Sequence, residues 1–273
     1  MKHTSERRPD RPFSLLSFVI TIVLTLIVFG FLMAYTVPTV WRASLDAPAW
    51  KFGVVFLAAH FCSPFAEHAF HRYFLHSPFP LLGRLHRQHT LHHGLTNVKL
   101  IQVVDGEGKV FNRYPILTME QHEASYFPWF SLSAFIAVSM ILVVPIQLLC
   151  PSWPIAIGVV LAIAWAICLY EIIHMIEHKP FDSFWKPKVT HPTFGGFWRW
   201  FYCFHLRHHA DIKLNENISG FFGVPIADFV FGTYAPWPRV YAEGEIVPKS
   251  EFEANRPRPM WFLRILDSFL LRA

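Results

Sequence analysis

Apolar residues in this chain fall into long unbroken blocks, not into the alternating or three-and-four spacing of elements half exposed to water. The stretch from Phe13 to Trp41 holds no charged residue. At about 1.5 Å per helical residue it exceeds the roughly 30 Å hydrocarbon core of a bilayer. A second block runs from Phe52 to about Phe70, after a short polar turn from Arg42 to Lys51. From Ala124 to Tyr170, 47 residues pass without Asp, Glu, Lys, Arg or His. That is about 70 Å of helix, twice the membrane core, and Pro151-Ser152-Trp153-Pro154 breaks it into two spans. The pattern predicts an all-α integral membrane fold with four transmembrane helices near 13–36, 52–70, 126–150 and 153–173. Between spans two and three, Asp105-Gly106-Glu107-Gly108 suggests a small hairpin. Near the C-terminus, Trp261, Phe262, Ile265, Leu266, Phe269 and Leu270 recur at helical spacing. They predict a helix that either lies in the membrane interface or packs on the protein's own core.

Composition and charge set the topology. Hydrophobic residues make up 53% of the chain and charged residues 16%, with a formal charge of +5. The Lys and Arg residues flank the apolar blocks and do not gather into an aromatic-interleaved stripe, so nucleic acid is not the expected partner. Arg7, Arg8 and Arg11 precede the first block, which is too long for the core of a cleaved signal peptide. Residues 1–12 therefore read as a basic cytoplasmic N-terminus, and 13–273 as a single membrane domain. Four spans put 77–123 and 174–273 on the cytoplasmic side. Five Lys or Arg residues lie in the first of these segments and twelve follow Tyr170, against Arg42 and Lys51 in the outer loops, as the positive-inside rule requires. Cys62, Cys150, Cys168 and Cys203 lie far apart with no CxxC pair. Neither a disulfide framework nor a thiolate zinc site is indicated.

Histidine carries the candidate chemistry. Ten of the sixteen histidines form four spaced groups: His71 and His76; His89, His92 and His93; His174 and His178; His205, His208 and His209. Residues at i, i+3 and i+4 share a helix face, so each HxxHH group is expected to aim three imidazoles at one point, and the i, i+4 pair His174 and His178 to do likewise. At about 100° per residue His71 and His76 diverge by about 140°, which requires the helix to fray before Pro78 or the two to serve different metals. The pairs lie at the cytoplasmic ends of spans two and four and both triplets lie in cytoplasmic segments, so all ten can converge. One ion takes four to six ligands, so ten imidazoles imply two ions with about five each. His68 and His86 lie one turn from proposed ligands. They, with His60, His122 and His191, are expected to serve as core or supporting groups. Glu67, Glu171 and, more weakly, Asp211 are candidates to accept the distal N–H of a ligand imidazole.

The segments His71-Arg72-Tyr73-Phe74-Leu75-His76, His89-Thr90-Leu91-His92-His93, His174-Met175-Ile176-Glu177-His178 and His205-Leu206-Arg207-His208-His209 resemble the HX4H, HX2HH, HX3H, HX2HH series of the fatty acid hydroxylase superfamily. The resemblance runs from about Glu67 to Tyr234. It implies a cytoplasmic helical cap carrying a histidine-rich dimetal site, with these ten histidines as both metal ligands and catalytic residues. The interval between His178 and His205 is long for the pattern, and its aromatic run Phe194-Gly195-Gly196-Phe197-Trp198-Arg199-Trp200 is expected to form a lid or substrate wall.

The implied reaction is O2-dependent hydroxylation of a C–H bond in a lipid or fatty-acyl substrate. Iron is the expected metal, because zinc has no redox states with which to activate O2. No dinucleotide fingerprint, CxxCH or iron–sulfur cysteine run is present, so electrons are expected from a separate cytochrome b5-like or ferredoxin-like protein. Lys186, Lys188, Arg199 and Arg207 offer it a basic surface. The expected location is a bacterial inner membrane or the endoplasmic reticulum. Two alternatives stand beside this reading: a desaturase with the same histidine chemistry, and a zinc-binding or transport protein, which should place ionisable groups near the bilayer midplane, where only His60 lies.

Overall fold

The computed structural model describes residues 14–79 and 82–271, so the basic segment 1–12 lies outside the described residues. Among the described residues, four helices are long and apolar enough to cross a membrane. They are α1 (Leu15–Thr36), α3 (Ala49–Phe70, continued by a π-helical turn, His71–Leu75), α6 (Ser131–Leu149) and α7 (Ile155–Glu177). Between α1 and the turn expected over Arg42–Lys51, and running into its start, lies α2 (Pro38–Leu45), with Pro38 in its first turn, where a missing N–H is no loss. The third span starts five residues later than expected. Residues 125–130 are held outside it: the Phe127 N–H donates to the Glu171 carboxylate at 2.8 Å.

Close packing and caps explain the bundle. Gly158 of α7 lies against Val55 of α3, where an added Cβ would sit 2.5 Å from a Val55 methyl. Small residues that let helix backbones approach are the usual adhesive between helices in lipid, where no hydrophobic drive separates helix from solvent. The α6–α7 turn is closed by Gln147. Its amide donates to the Trp153 carbonyl at 2.9 Å and its Oε1 accepts from the Ala156 N–H at 2.9 Å. Lys51 reaches across from α3 to the Ser152 carbonyl at 2.9 Å. Phe18, Ile22, Leu26 and Phe29 of α1 pack on Leu132, Ile136, Val160 and Ala164, leaving Leu16, Phe31 and Tyr35 exposed as a lipid-facing surface would be.

The remaining elements make up a cap over the histidine-bearing ends of α3 and α7, with its tenth helix packed back along α3. They are α4 (Gly83–Leu95), α5 (Met119–Ala124), a second π-helical turn (Phe181–Trp185), α8 (Lys186–Val189), α9 (Gly195–His208), α10 (Ile226–Phe231), α11 (Lys249–Phe252) and α12 (Trp261–Leu270). The expectation of an all-α fold needs correcting, because this cap also holds a three-stranded antiparallel sheet. The strands are β1 (Val98–Val104), β2 (Glu107–Asn112) and β3 (Ile246–Pro248), in the order β1-β2-β3. The predicted hairpin is its first half. Asp105 and Gly106 take φ of 51° and 83° at the turn, the left-handed conformation such tight hairpins need. Only β3, three residues long, escaped the reading.

The aromatic run expected as a lid instead opens α9. Trp198, with Phe201 and Phe181, packs on a core of Trp185, Tyr202, Tyr114, Leu206, Trp237 and Tyr241. Helix α12 buries Leu263 against the protein, while Trp261, Ile265 and Phe269 are exposed.

Replacing Gly158 by Leu is expected to wedge α3 from α7 and lower the midpoint of thermal unfolding in detergent, overpacking of this kind costing about 1–3 kcal/mol. Gly53→Ala, on a helix face with nothing within 4 Å of the added carbon, is the control expected to leave the midpoint in place.

Candidate metal centre

All ten predicted histidines meet between the ends of α3 and α7 and the cap, in two groups of five. One holds His71, His76, His89, His93 and His208; the other holds His92, His174, His178, His205 and His209. Within each group the potential ligand atoms lie within 4.8 Å of one another. The groups touch, with the His93 and His209 rings stacked at a centroid distance of 4.3 Å.

Two local features differ from expectation. The first is the pair His71 and His76, which neither frays apart nor splits between groups. The π-helical turn over His71–Leu75 widens the helix to i→i+5 hydrogen bonding, with more residues per turn than 3.6. Positions i and i+5 then come onto one face, and the two rings stack at 5.0 Å and 25°. The second is that neither triplet converges on one point. In α4, His89 and His93 face the first group while His92 faces the second; in α9, His205 and the capping His209 face the second while His208 crosses to the first. Each group therefore receives a pair from one apolar helix, an i, i+4 pair from one cap helix and a single crossing histidine from the other.

Hydrogen bonds to Nδ1 fix which ring nitrogen faces inward. His71, His178 and His208 place Nδ1 at 2.6–2.7 Å from the carbonyl oxygens of Glu216, Tyr114 and Leu214. A carbonyl only accepts, so in each ring Nδ1 carries the proton and Nε2 presents a lone pair. The same holds for His92 and His209 by one further step. Their Nδ1 atoms meet the hydroxyls of Ser125 at 2.9 Å and Thr96 at 3.0 Å. Those hydroxyls already donate to the carbonyls of Gln121 and His92 at 2.6 Å. Three of the five Nε2 lone pairs of the second group are thus assigned, and all point into it.

Two ring nitrogens this close hold either a proton or a metal ion between them. The inward Nε2 contacts are 3.0 Å for His71–His89, 3.1 Å for His89–His93, 3.3 Å for His76–His208, and 3.1 Å for both His92–His174 and His205–His209. Two nitrogens each about 2.1 Å from one ion sit about 3.0 Å apart at a right angle and about 3.4 Å apart at a tetrahedral angle. The His178 Nε2 is buried with no hydrogen-bond partner at all. The donor set, its tautomers and its spacing all fit one transition-metal ion per group.

Burial keeps the rings neutral, the form a metal takes. It pushes the His178 imidazole down to about 3 and the His208 imidazole down to about 4. It also holds His89, His92, His93, His205 and His209 well below the ordinary value, with neighbouring imidazoles adding to the effect.

The carboxylates serve other ends than expected. Glu67 accepts the N–H groups of Ile218 and Ser219 at 2.6 and 2.8 Å and that of Gly220 at 3.0 Å. Glu171 holds Phe127, and Asp211 pairs with Arg256 at 3.1 Å; none of the three bonds to a ligand ring. Their places are taken by Ser125, Thr96 and three backbone carbonyls, residue types that no sequence spacing marks. His68 bonds Thr233 at 2.9 Å, His86 the Leu75 carbonyl at 2.8 Å and His122 the Tyr126 hydroxyl at 3.2 Å. All three lie outside the groups, as does His191, which accepts from the N–H of Thr193 and Phe194 at 3.2 Å.

A residue the sequence reading passed over ties the first group to the C-terminus. Arg72, buried within the π-turn, donates to both oxygens of Asp267 at 2.8 and 2.6 Å and to Glu216 at 2.8 Å. Glu216 is the residue whose carbonyl holds His71. Arg207, expected on a docking surface, is 2% exposed. Its guanidinium donates to the carbonyls of Phe252 and Ala254 and stacks over Trp237, so it is unavailable to a partner.

Titrating metal-free protein with Co2+ is expected to fill two sites, and His178→Ala to leave one. Thr96→Val, which removes the acceptor for His209, is expected to weaken the second site about 10–100-fold, with Thr36→Val as an unaffected control. Two full sites in His178→Ala would overturn the assignment. For the metal-free protein, acid favours the unfolded chain. Between the ordinary histidine value of 6.5 and the values of about 3 and 4 held by His178 and His208, only the unfolded state takes up those protons. Stability is therefore expected to be fully present above pH 6.5 and to fall as pH drops toward 4, read as urea midpoints across that range.

No protein-family model, curated protein or solved structure matches the chain, so what the two groups do must be reasoned from their own chemistry.

Proposed function

We propose that the chain is an O2-dependent diiron hydroxylase that inserts oxygen into a C–H bond of a membrane lipid or its acyl chain. The observation that carries this reading is the placement of two touching five-imidazole groups at the ends of two apolar helices. Imidazole suits iron, copper and zinc alike. Only a redox pair, however, serves a substrate delivered from the hydrocarbon phase, whose methylenes offer neither an acidic proton nor a leaving group. Two iron ions would supply the electrons and the oxidising power that O2 chemistry at such a bond requires.

The protein's own part is to hold, orient and exclude. The π-turn, the end of α7 and the two cap helices fix ten ring positions, and Nδ1 bonds fix the tautomers of five of the rings. Burial keeps water away: His92, His174, His178, His205 and His209 are all at most 5% exposed. Beside His89 a small cleft opens between the ends of α3 and α7 and the residues leading into α6. Leu75, Leu85, Ala124, Phe127, Pro128 and Tyr170 line it. Gln88, Ser125 and Tyr126 complete its wall, which carries no charged residue. In this reading the site faces the cytoplasm, with both termini on that side, and a separate electron-donor protein docks on the cap. Lys186, exposed at the start of α8, is available to it, whereas the half-buried Lys188 is engaged by the Phe184 carbonyl and ring.

Lipid extracts from cells grown under 18O2, with and without the gene, test the proposal. A lipid heavier by one 18O atom only in expressing cells is the expected product. A species lighter by two hydrogens would instead identify a desaturase, and identical lipids would sink both.

A further inference from the structure

Between Asn215 and α10 the chain leaves the metal centre and runs back along the apolar helices, making contacts at a depth a cap loop would not reach. His60 lies eleven residues after the start of α3 and eleven before His71, about 16 Å along the axis from either. It is fully buried. The Phe222 N–H donates to its Nε2 at 3.3 Å, and the Phe222 and Phe221 rings pack on it at 4.4 and 5.2 Å. On the other side Phe222 meets Trp165, ten residues into α7, at 6.3 Å. The tip of this loop thus lies between the midpoints of two helices long enough to cross a bilayer.

Irregular backbone survives at such depth only if its polar groups are satisfied within the protein. Here they are, by side chains placed for the purpose. Asn215 donates to the Thr233 carbonyl at 3.0 Å. Glu216 and Asn217 donate to Asp228, each at 2.8 Å. Ile218, Ser219 and Gly220 donate to Glu67, and Phe222 to His60. Phe221, Gly223, Val224 and Ile226 donate to carbonyls inside the loop, and Ala227 to the Asn217 side chain. Every N–H from Asn215 to Ala227 has a partner. No Asp, Glu, Lys or Arg occurs from Asn217 to Ala227, and the residues exposed beyond the tip are Phe222, Val224, Phe229 and Val230.

We infer that residues 216–230 form a re-entrant segment inserted in the bilayer beside the second and fourth spans, with Phe222, Val224 and Val230 facing lipid acyl chains. Its inner end holds the first histidine group: the Leu214 and Glu216 carbonyls accept from His208 and His71. One continuous stretch therefore joins the bilayer to the metal centre. This accounts for Glu67, His60 and Asp228 without giving any of them a ligand role, and it does not depend on the reaction proposed above.

The test is depth. Spin labels placed singly at Val224 and Val230, with exposed Cys62 and Cys150 replaced by serine, are read in nanodiscs by collision with O2 and with a water-soluble nickel chelate. Val138, exposed on α6, is the lipid reference and Gly94, on α4, the aqueous one. High O2 and low nickel accessibility, as at Val138, is expected. Nickel accessibility as at Gly94 overturns the proposal, and low accessibility to both reagents overturns it in favour of contact with another protein. Because a labelled variant can misfold, unmutated protein is also exposed to phospholipid carrying a diazirine near the acyl terminus. The tryptic peptide from Leu214 to Arg239 is expected to be labelled along with the spans; labelled spans with this peptide bare would refute the insertion.

Discussion

Ten buried imidazoles turned toward two points in a low-dielectric interior, five of them with Nε2 lone pairs fixed inward, favour a cation at each point. Most of the cap can be understood as the apparatus that holds them there anyway. Like-oriented dipoles at 3.0–3.3 Å repel more strongly in the interior than in water. Protonation offers no escape, because burial disfavours the charged form, and five of the rings cannot turn, because their Nδ1 is tied to a carbonyl or hydroxyl. What holds the strain is the network outside the rings: Thr96, Ser125, the Tyr114, Leu214 and Glu216 carbonyls, and the Arg72–Asp267 pair.

That network explains why the cap needs so much chain. Arg72 sits between His71 and His76, so the residue that shapes the π-turn also carries a guanidinium to Asp267 of α12 and to Glu216. A buried Arg paired with two carboxylates is weak evidence for stability, since desolvation of three charges offsets most of their attraction. Its value lies in geometry: a bidentate fork fixes direction as well as distance. The last helix and the ends of α3 and α7 thereby become parts of one support, although nearly 200 residues separate Arg72 from Asp267 in sequence.

The four long helices and the ten histidines were legible because each rests on a short-range signal: an uninterrupted apolar run, or a repeated spacing of one rare side chain. How the ligands divide was not legible. A regular helix put His71 and His76 on different faces, and only a π-turn, set by tertiary contacts to Arg72, reunites them. Treating each HxxHH as one cluster ignored that i and i+4 lie about 40° apart on a helix, whereas i+3 falls on the other side of i, about 60° away. With two groups stacked side by side, that angle is enough to send His92 and His208 across to the neighbouring group. The supporting shell was invisible for a different reason. Backbone carbonyls have no sequence signature, and a single Ser or Thr that accepts from a ring looks like any other.

Glu67 and Glu171 show how a correct observation acquired the wrong role. Carboxylates one turn from a ligand histidine invite assignment as its partner, and at the end of an apolar helix few other tasks suggest themselves. Both carry out the commonest task of a buried acceptor, satisfying backbone N–H groups where no water can. Glu67 serves three residues of a loop and Glu171 one residue before a span. The need arises because the chain leaves regular structure next to the apolar helices, where each unpaired N–H would cost several kcal/mol. A charge near a metal site therefore marks a ligand's partner only after the irregular backbone around it has been accounted for. Here that accounting uses both carboxylates and leaves the closest ring contacts to neutral acceptors, with the Glu216 carboxylate standing off at 3.7 Å from the His71 Nδ1.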